Sequence, residues 1–560
     1  MSTSTQQSPL LLHQGRPVLG QGDQLVITER YEIAWRGFVY LDGVSSGKPS
    51  LRRFAKEIGG NLAAAAVKLK GVYFISVRDK LTDRAYAFVD NSALFHAYVS
   101  PQFVGTSFLE SVAREGLRSE DLDPEAVVEF LQFGCIYFGK TFFNSVRRIE
   151  ADEIVESRPD GGVAFLPKAI ADISEVPKRS FEHMLQSLCQ SIAAERVSVD
   201  LTGGIDSRLI AVAFSYFGLP FDFGLSASAQ IDDVRIAQEV ARLLNREFFL
   251  TRHDPQQTGW DDLFSITDGL FDLAKSDRPI QMQRERAARG VTLAVSGTGG
   301  ELFKDFWWLQ DFPFYKRKNP NLKRLYDVRF APGKAKTGNV GPRYRQAAAS
   351  LRRRMIDKWS PHRAGTNTET YDRIYYGLKM REFAGRGLTN TSKILPTVAP
   401  YVDREAVSIG YHLDRFDRFF NRFHRAAITK YAPEVAKIRT TEGGMTGSIM
   451  PIDVSRDLIK YVANRVSRLK TKLDQRRGAA LRPQDGPDHP QLGSILSDFA
   501  AQRRTIQRLQ DHGILNLNAP NQSIEAGSIG SLLPLDMLLE RLEARSTSQF
   551  SAKISLSQAI

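Results

Sequence analysis

The stretch "VSVDLTGGIDSRLIAVAF", Val197 to Phe214, holds two apolar runs separated by Thr202, Gly203 and Gly204, with Asp206 and Ser207 at the head of the second run. The first run reads as a buried strand and the second as a buried helix. Glycines just after a buried strand let backbone N–H groups face a ligand without side-chain obstruction, and the helix start adds further unpaired N–H groups. Such a corner binds anions. An exposed helix terminus contributes only about 0.3–1 kcal/mol, up to roughly 2 kcal/mol when partly buried, so it does not hold a triphosphate alone. A carboxylate in that loop repels phosphate unless a cation lies between them. Asp206 therefore makes sense as a Mg²⁺ ligand bridging to phosphate oxygens. The Walker pattern is absent, since no lysine follows the glycines. On this loop alone, a plain strand-turn-helix corner with Asp206 as an N-terminal cap explains the residues equally well.

A second stretch shifts the balance. "LAVSGTGGELFKDFWW", Leu293 to Trp308, repeats the pattern: an apolar strand, then Ser296, Gly297, Gly299 and Gly300, then Glu301 opening another apolar run. Two glycine loops, each ending in a carboxylate at the C-terminal edge of a strand, converge on one crevice if the strands share a parallel sheet.

The surrounding sequence favours such a sheet. Val197–Leu201, Phe221–Ser226, Glu247–Leu250 and Leu293–Ser296 read as strands, with helical periods between several of them, as in "DDVRIAQEVARLLN". That alternation predicts parallel strands with crossover helices. Residues 1 to about 170 instead alternate short β-rich runs with Asp, Gly and Asn turns, interrupted by helical stretches at 51–69 and 123–134, an α+β pattern. From about Leu309 the chain reads as mainly helical, and "RRGAALRPQDGPDHPQLGS" reads as an exposed loop.

Composition sets the outer bounds. The 560 residues are 42% hydrophobic and 25% charged, as in ordinary globular proteins, and allow more than one core. The net charge of +13 is scattered; its densest clusters, Tyr315–Arg324, Leu351–Met355 and Arg468–Arg477, read as solvated faces rather than a nucleic-acid track. Two cysteines, Cys135 and Cys189, lie far apart without a partner motif and read as buried apolar residues. His253 and the other histidines show no zinc spacing. No stretch approaches the roughly 18 apolar residues of a membrane span, and the N-terminus lacks a signal-peptide core. The expected location is cytoplasmic.

With these residues in place, a resemblance emerges. "LTGGIDSR" resembles the S-G-G-x-D-S pyrophosphate loop of N-type ATP pyrophosphatases, and "SGTGGELF" resembles the second loop of the asparagine synthetase family within that group. "FGLSASAQIDDVRIAQEVARLLNREFFLTRHD" is similar to the family's adenine-side strand and helix, "LPTVAPYVDREAVSIGYHL" to its P-F-L-D segment and "KYAPEVAKIR" to its final basic segment. Upstream, residues 69–99 and 127–155 resemble the closing half of its glutaminase-type domain. The resemblance spans about residues 60 to 445.

What the resemblance implies is an α/β chain: a degenerate glutaminase-like (Ntn-type) α+β sandwich at 1–172, a PP-loop synthetase domain with a doubly wound parallel sheet and a helical part at 173–465, and a mainly helical extension at 466–560. It implies ATP and Mg²⁺ as cofactors and a reaction in which a small-molecule or peptide carboxylate is activated as an acyl-adenylate with release of pyrophosphate. An amine or ammonia then attacks to form an amide. The amides of Gly203, Gly204 and Ser207, with Thr202, would cradle the pyrophosphate; Asp206 and Glu301 would ligate the metal. Leu201, Leu225 and Ser226 would face adenine and ribose, with Ser296 and Gly297 nearby. No nucleic acid or membrane partner is expected, and a homodimer is left open.

Three departures from the family pattern accompany the resemblance. Position 2 is Ser2 where the family's glutaminase domains expose a cysteine, which implies an inactive domain of the kind found in beta-lactam synthetases and lasso-peptide cyclases. "GTGGELF" is one residue short of G-x-G-G-D-E-L-F, and Thr298 replaces an acidic residue, so either Glu301 substitutes for the lost aspartate or the loop is shifted. Threonine is no general base, so the amine must lose its proton by another route. The late catalytic lysine has no direct counterpart; Lys437 and Arg439 are the two candidates, each equally readable as a surface charge. A non-catalytic nucleotide-binding descendant and a PP-loop sulfur-transfer or tRNA-modifying enzyme are the alternative functions. Asp403 and Arg404 read either as pocket residues or as a structural pair, and the aromatics of Phe306–Tyr315 as core packing or substrate lining.

Overall fold

The computed structural model describes residues 11–13, 16–18, 24–158, 162–227, 232–252, 259–304, 316–331, 339–363, 365–441, 446–447, 459, 463, 499–516 and 529–557. Ser2, His253, Phe306–Tyr315, Arg468–Arg477 and the Pro/Gly-rich stretch near residue 480 lie outside them.

Period-2 patterning builds the N-terminal part. Strand Tyr31–Tyr40 pairs antiparallel with Lys70–Asp79 over its whole length, and Arg84–Val89, Glu153–Ser157 and Val163–Pro167 extend the sheet on one side and Gln24–Ile27 on the other. Ile33, Trp35 and Val39 on one face pack with Leu51 and Phe54 of helix Lys48–Glu57, whereas Ala34, Phe38 and Tyr40 on the other join Tyr98, Val99, Phe103 and Val104 of a second, five-stranded antiparallel sheet. The sheet is thus covered by helices on one side and by another sheet on the other. The single helical stretch expected over 51–69 is instead two helices, Lys48–Glu57 and Leu62–Ala66. Gly59 and Gly60 separate them with φ of 42° and 95°, a left-handed backbone that ends a helix.

The second part is a five-stranded parallel sheet in the spatial order Phe248–Thr251, Phe221–Ser226, Val197–Asp200, Leu293–Val295, Thr397–Val398. Along the chain the sheet grows outward from Val197–Asp200 in one direction through Phe221–Ser226 to Phe248–Thr251. It then restarts on the opposite side with Leu293–Val295. Order reverses between Val197–Asp200 and Leu293–Val295, and ligands of open α/β sheets bind outside the strand C-termini at such a reversal. Both glycine loops emerge there.

The two parts are joined by buried charge. Arg148 and Glu382 form a 2.8 Å ion pair with side chains 1% and 2% exposed, and the Gly139 N–H donates to the same carboxylate at 3.2 Å. His96 donates its backbone N–H to Thr389 Oγ1 at 2.8 Å, and Arg381 pairs with Glu150. These bonds fix Tyr375–Ala384, a π-helical segment of the kind often found at functional sites. The helix Ile529–Ser557 packs on Leu273–Ala288 and on Pro124–Phe133, bridging both parts. Among the described residues no helix is long and apolar enough to cross a membrane.

Candidate active site

Each glycine loop is shaped by a close approach that a side chain would block. A Cβ on Gly297 would lie 2.7 Å from the Ser207 backbone nitrogen, and one on Gly300 would lie 2.5 Å from Asp206 Oδ1. The two loops therefore touch at the start of helix Asp206–Tyr216, and Asp206 and Glu301 belong to one cluster. Gly299 adopts φ 98°, against Val402, which lets the second loop turn before Glu301.

Asp206 does not cap its helix: the cap position is Ile205 and carries no side-chain bond. Its carboxylate faces a set of polar groups drawn from distant segments. Lys304 Nζ bonds Asp206 Oδ2, and His424 Nε2 lies 3.0 Å from Oδ1. The Tyr401 hydroxyl donates to the Asp206 backbone carbonyl at 3.2 Å, and the Tyr375 hydroxyl donates to Glu301 Oε2 at 2.7 Å. Burial disfavours the charged form of Asp206, but Lys304 and His424 override it and hold the carboxyl well below the usual carboxylate range. Burial likewise lowers the His424 pKa, against the opposing pull of Asp206. Burial, with the nearby carboxylates, raises both tyrosines well above their ordinary value, leaving them as hydrogen-bond donors. Phe181, Phe303, Phe423 and Tyr401 stack into an aromatic floor beside His424.

The first loop is tied down by its own side chains. Gly204 N–H donates to Thr202 Oγ1 at 3.2 Å, Thr202 N–H to Ser207 Oγ at 3.3 Å, and Gly203 N–H to Asp233 Oδ1 at 2.9 Å. Beneath it, the buried Arg208 guanidinium donates to the carbonyls of Ile438, Gly203 and Arg439 and to Thr446. This clamps the segment after Val435–Lys437 against the loop. In the second loop Ser296 and Thr298 bond each other through their hydroxyls at 2.9 Å.

The remaining sequence candidates divide. Leu201 and Leu225 are buried at the strand ends, with Leu201 N–H donating to Gly224 O at 3.1 Å, and Ser226 ends its strand beside them. Lys437 is not brought to the cluster: its side chain is 70% exposed and its ammonium pairs with Glu434 at 2.8 Å. The Arg439 side chain is exposed as well. Asp403 caps helix Arg404–His412, and Arg404 donates to Ala171 O and Tyr376, so both act structurally. Cys135 and Cys189 are buried; burial raises the first thiol and pushes the second up to about 12, so neither is a ready nucleophile. A separate cavity of about 740 Å³ lies between the two parts of the chain, away from Asp206, with Lys70, Arg179 and Glu405 on its wall.

Sequence reading missed Lys304, His424, Tyr375, Tyr401, Asp233 and Arg208. Two of these carried a signal: Lys304 directly follows the second loop, and Arg208 is a charge inside an otherwise apolar helical run.

Among the described residues no three His, Cys, Asp or Glu side chains gather as an all-protein metal site. Asp206 and Glu301 nevertheless offer the hard oxygen donors that Mg²⁺ takes when phosphate oxygens complete its shell, which fits a nucleotide-borne cation. Compared with known proteins, residues 186–433 match the family model described as asparagine synthase. No curated protein matches the chain.

Proposed function

We propose, from the match of residues 186–433 to the asparagine synthase family model, that the chain is an ATP-dependent amide ligase that joins a carboxylate to an amine or ammonia. The carboxylate is activated by ATP as an acyl-adenylate, with pyrophosphate as the leaving group. The observation that carries this reading is the contact between the two glycine loops at the reversal of strand order, with Asp206 and Glu301 on its two sides.

The residues have separable tasks in this scheme. Asp206 and Glu301 would hold Mg²⁺, which supplies charge neutralisation on the departing pyrophosphate. The amides of Gly203, Gly204 and Ser207 would bind its oxygens, those of Gly203 and Gly204 leaving Asp233 and Thr202 to do so, and Leu201 and Leu225 would form the apolar seat of adenine. Tyr375 orients Glu301, and Tyr401 fixes the helix start that carries Asp206. The aromatic floor excludes water from one side of the cluster, which strengthens every charge interaction above it.

The N-terminal part is read as a degenerate glutaminase-like domain that no longer supplies ammonia. Its part here is to anchor the segment that carries Tyr375. Incubation with ATP, Mg²⁺ and a panel of carboxylates and amines is expected to release AMP and pyrophosphate, and Asp206→Ala is expected to stop that release with an unchanged fold. Release of ADP instead would contradict the reading.

A further inference from the structure

Lys304 has no task in the scheme above, yet it is bonded to the central carboxylate. It ends the second glycine loop, and its side chain and that of Asp206 are each 21% exposed. Across the crevice the polarity is reversed, because Gly203 N–H is held by the Asp233 carboxylate at 2.9 Å. Each half of the site is thus engaged by an internal group carrying the charge of its expected ligand. An ammonium sits on the carboxylate, and a carboxylate sits on the anion-binding amide.

Geometry limits what can share these positions. Asp206 Oδ2 cannot keep the lysine ammonium and coordinate a divalent cation in the same direction, so Lys304 would have to leave that oxygen for Asp206 to hold one. The loop backbone is pinned by the Gly297 and Gly300 contacts, whereas the four-carbon lysine stem re-aims its ammonium by rotamer change alone. Among the described residues, Arg208 is committed to four acceptors beneath the first loop and Lys437 to Glu434.

We propose that Lys304 is a phosphate-binding residue, whose ammonium passes from Asp206 to the phosphate oxygens of ATP when the divalent cation takes the carboxylate. The proposal rests on the ligase reading of the same site. A lysine suits this exchange because it binds phosphate as a compact point charge and makes no demand for a fixed fork geometry.

The test uses the full chain, Lys304→Gln and Lys304→Arg. Two ligands are titrated separately: Mn²⁺ alone, followed by electron paramagnetic resonance, and a non-hydrolysable ATP analogue with Mg²⁺, followed by calorimetry. Lys304→Gln is expected to bind Mn²⁺ about fivefold more tightly, since an internal competitor is gone. It is expected to bind the magnesium–nucleotide about tenfold more weakly, since a charge-assisted contact is lost. Lys304→Arg should restore part of the nucleotide affinity. Changes in the same direction for both ligands, or none for either, would overturn the proposal while the ligase reading stands. A wild-type protein that fails to bind the analogue would overturn both.

Discussion

Two aspartates, one buried and one partly exposed, behave in opposite ways, and the difference separates scaffold from site. Asp90, in the N-terminal part, is 1% exposed and accepts backbone N–H groups from Ser92 at 3.0 Å, Leu94 at 3.1 Å and Phe95 at 2.8 Å. Burial still raises its pKa, the backbone bonds opposing only in part. Asp206, beyond the C-terminal end of the central parallel strand, is pulled the other way by Lys304 and His424, despite its own desolvation. One carboxylate is spent on folding a turn. The other is kept charged, with partners that can be exchanged. Glu129, in the N-terminal part, follows Asp90: it is 2% exposed, bonds one backbone N–H, that of Tyr137, and burial pushes it up to about 7.

Four substitutions probe this division, in order of expected effect. Glu382→Ala strips the partner from Arg148 in the seam between the two parts, and removing one member of a buried pair costs about 3–5 kcal/mol. The urea midpoint should fall sharply; an unchanged midpoint would show that the seam contributes no scaffold stability. Gly297→Ala, which places a Cβ 2.7 Å from the Ser207 nitrogen, should separate the loops. Nucleotide affinity is expected to fall about 100-fold, with a stability loss of only about 1–3 kcal/mol. A larger loss of stability than of binding would move the second loop from site to scaffold.

Glu129→Gln tests the scaffold type of carboxylate by pH. The folded pKa of about 7 lies above the unfolded value near 4.5. Below about pH 4.5 the group is protonated in both states and costs nothing. As pH rises toward 7 the unfolded chain ionises first, so wild-type stability declines through that window. The variant should match wild type near pH 4 and exceed it by about 3 kcal/mol above pH 7, read from denaturation curves at each pH; parallel curves would contradict the assignment. Lys437→Ala should do least, changing stability by less than about 0.5 kcal/mol and leaving nucleotide affinity as it was. A marked loss of affinity would return that lysine to the site.

The sequence was most legible where the signal is local. Glycines flanked by apolar runs disclosed both loops, and four strands of the parallel sheet fell within a residue of their expected ends, Phe248–Thr251 for example against an expected Glu247–Leu250. The sheet's edge strand Thr397–Val398 is too short to show a period. Pairings set by tertiary structure were not legible, among them the register of Tyr31–Tyr40 on Lys70–Asp79 and the packing of His424 and Tyr375 against the loops. Such residues lie on helices whose apolar period looks ordinary, because one polar group turned into a cleft leaves the pattern of the rest unchanged. The late basic segment shows the converse. Lys437 sits near the first loop in the fold through the Arg208 clamp on Ile438 and Arg439, yet its side chain points to solvent.

The central claim, that the two loops form one magnesium-dependent nucleotide site around Asp206, is met most directly by calorimetric titration of ATP with Mg²⁺ into wild type and Asp206→Asn. The account predicts binding by wild type and a loss of at least about 100-fold in the variant, with melting curves that stay close. Equal affinity in the two proteins would contradict it.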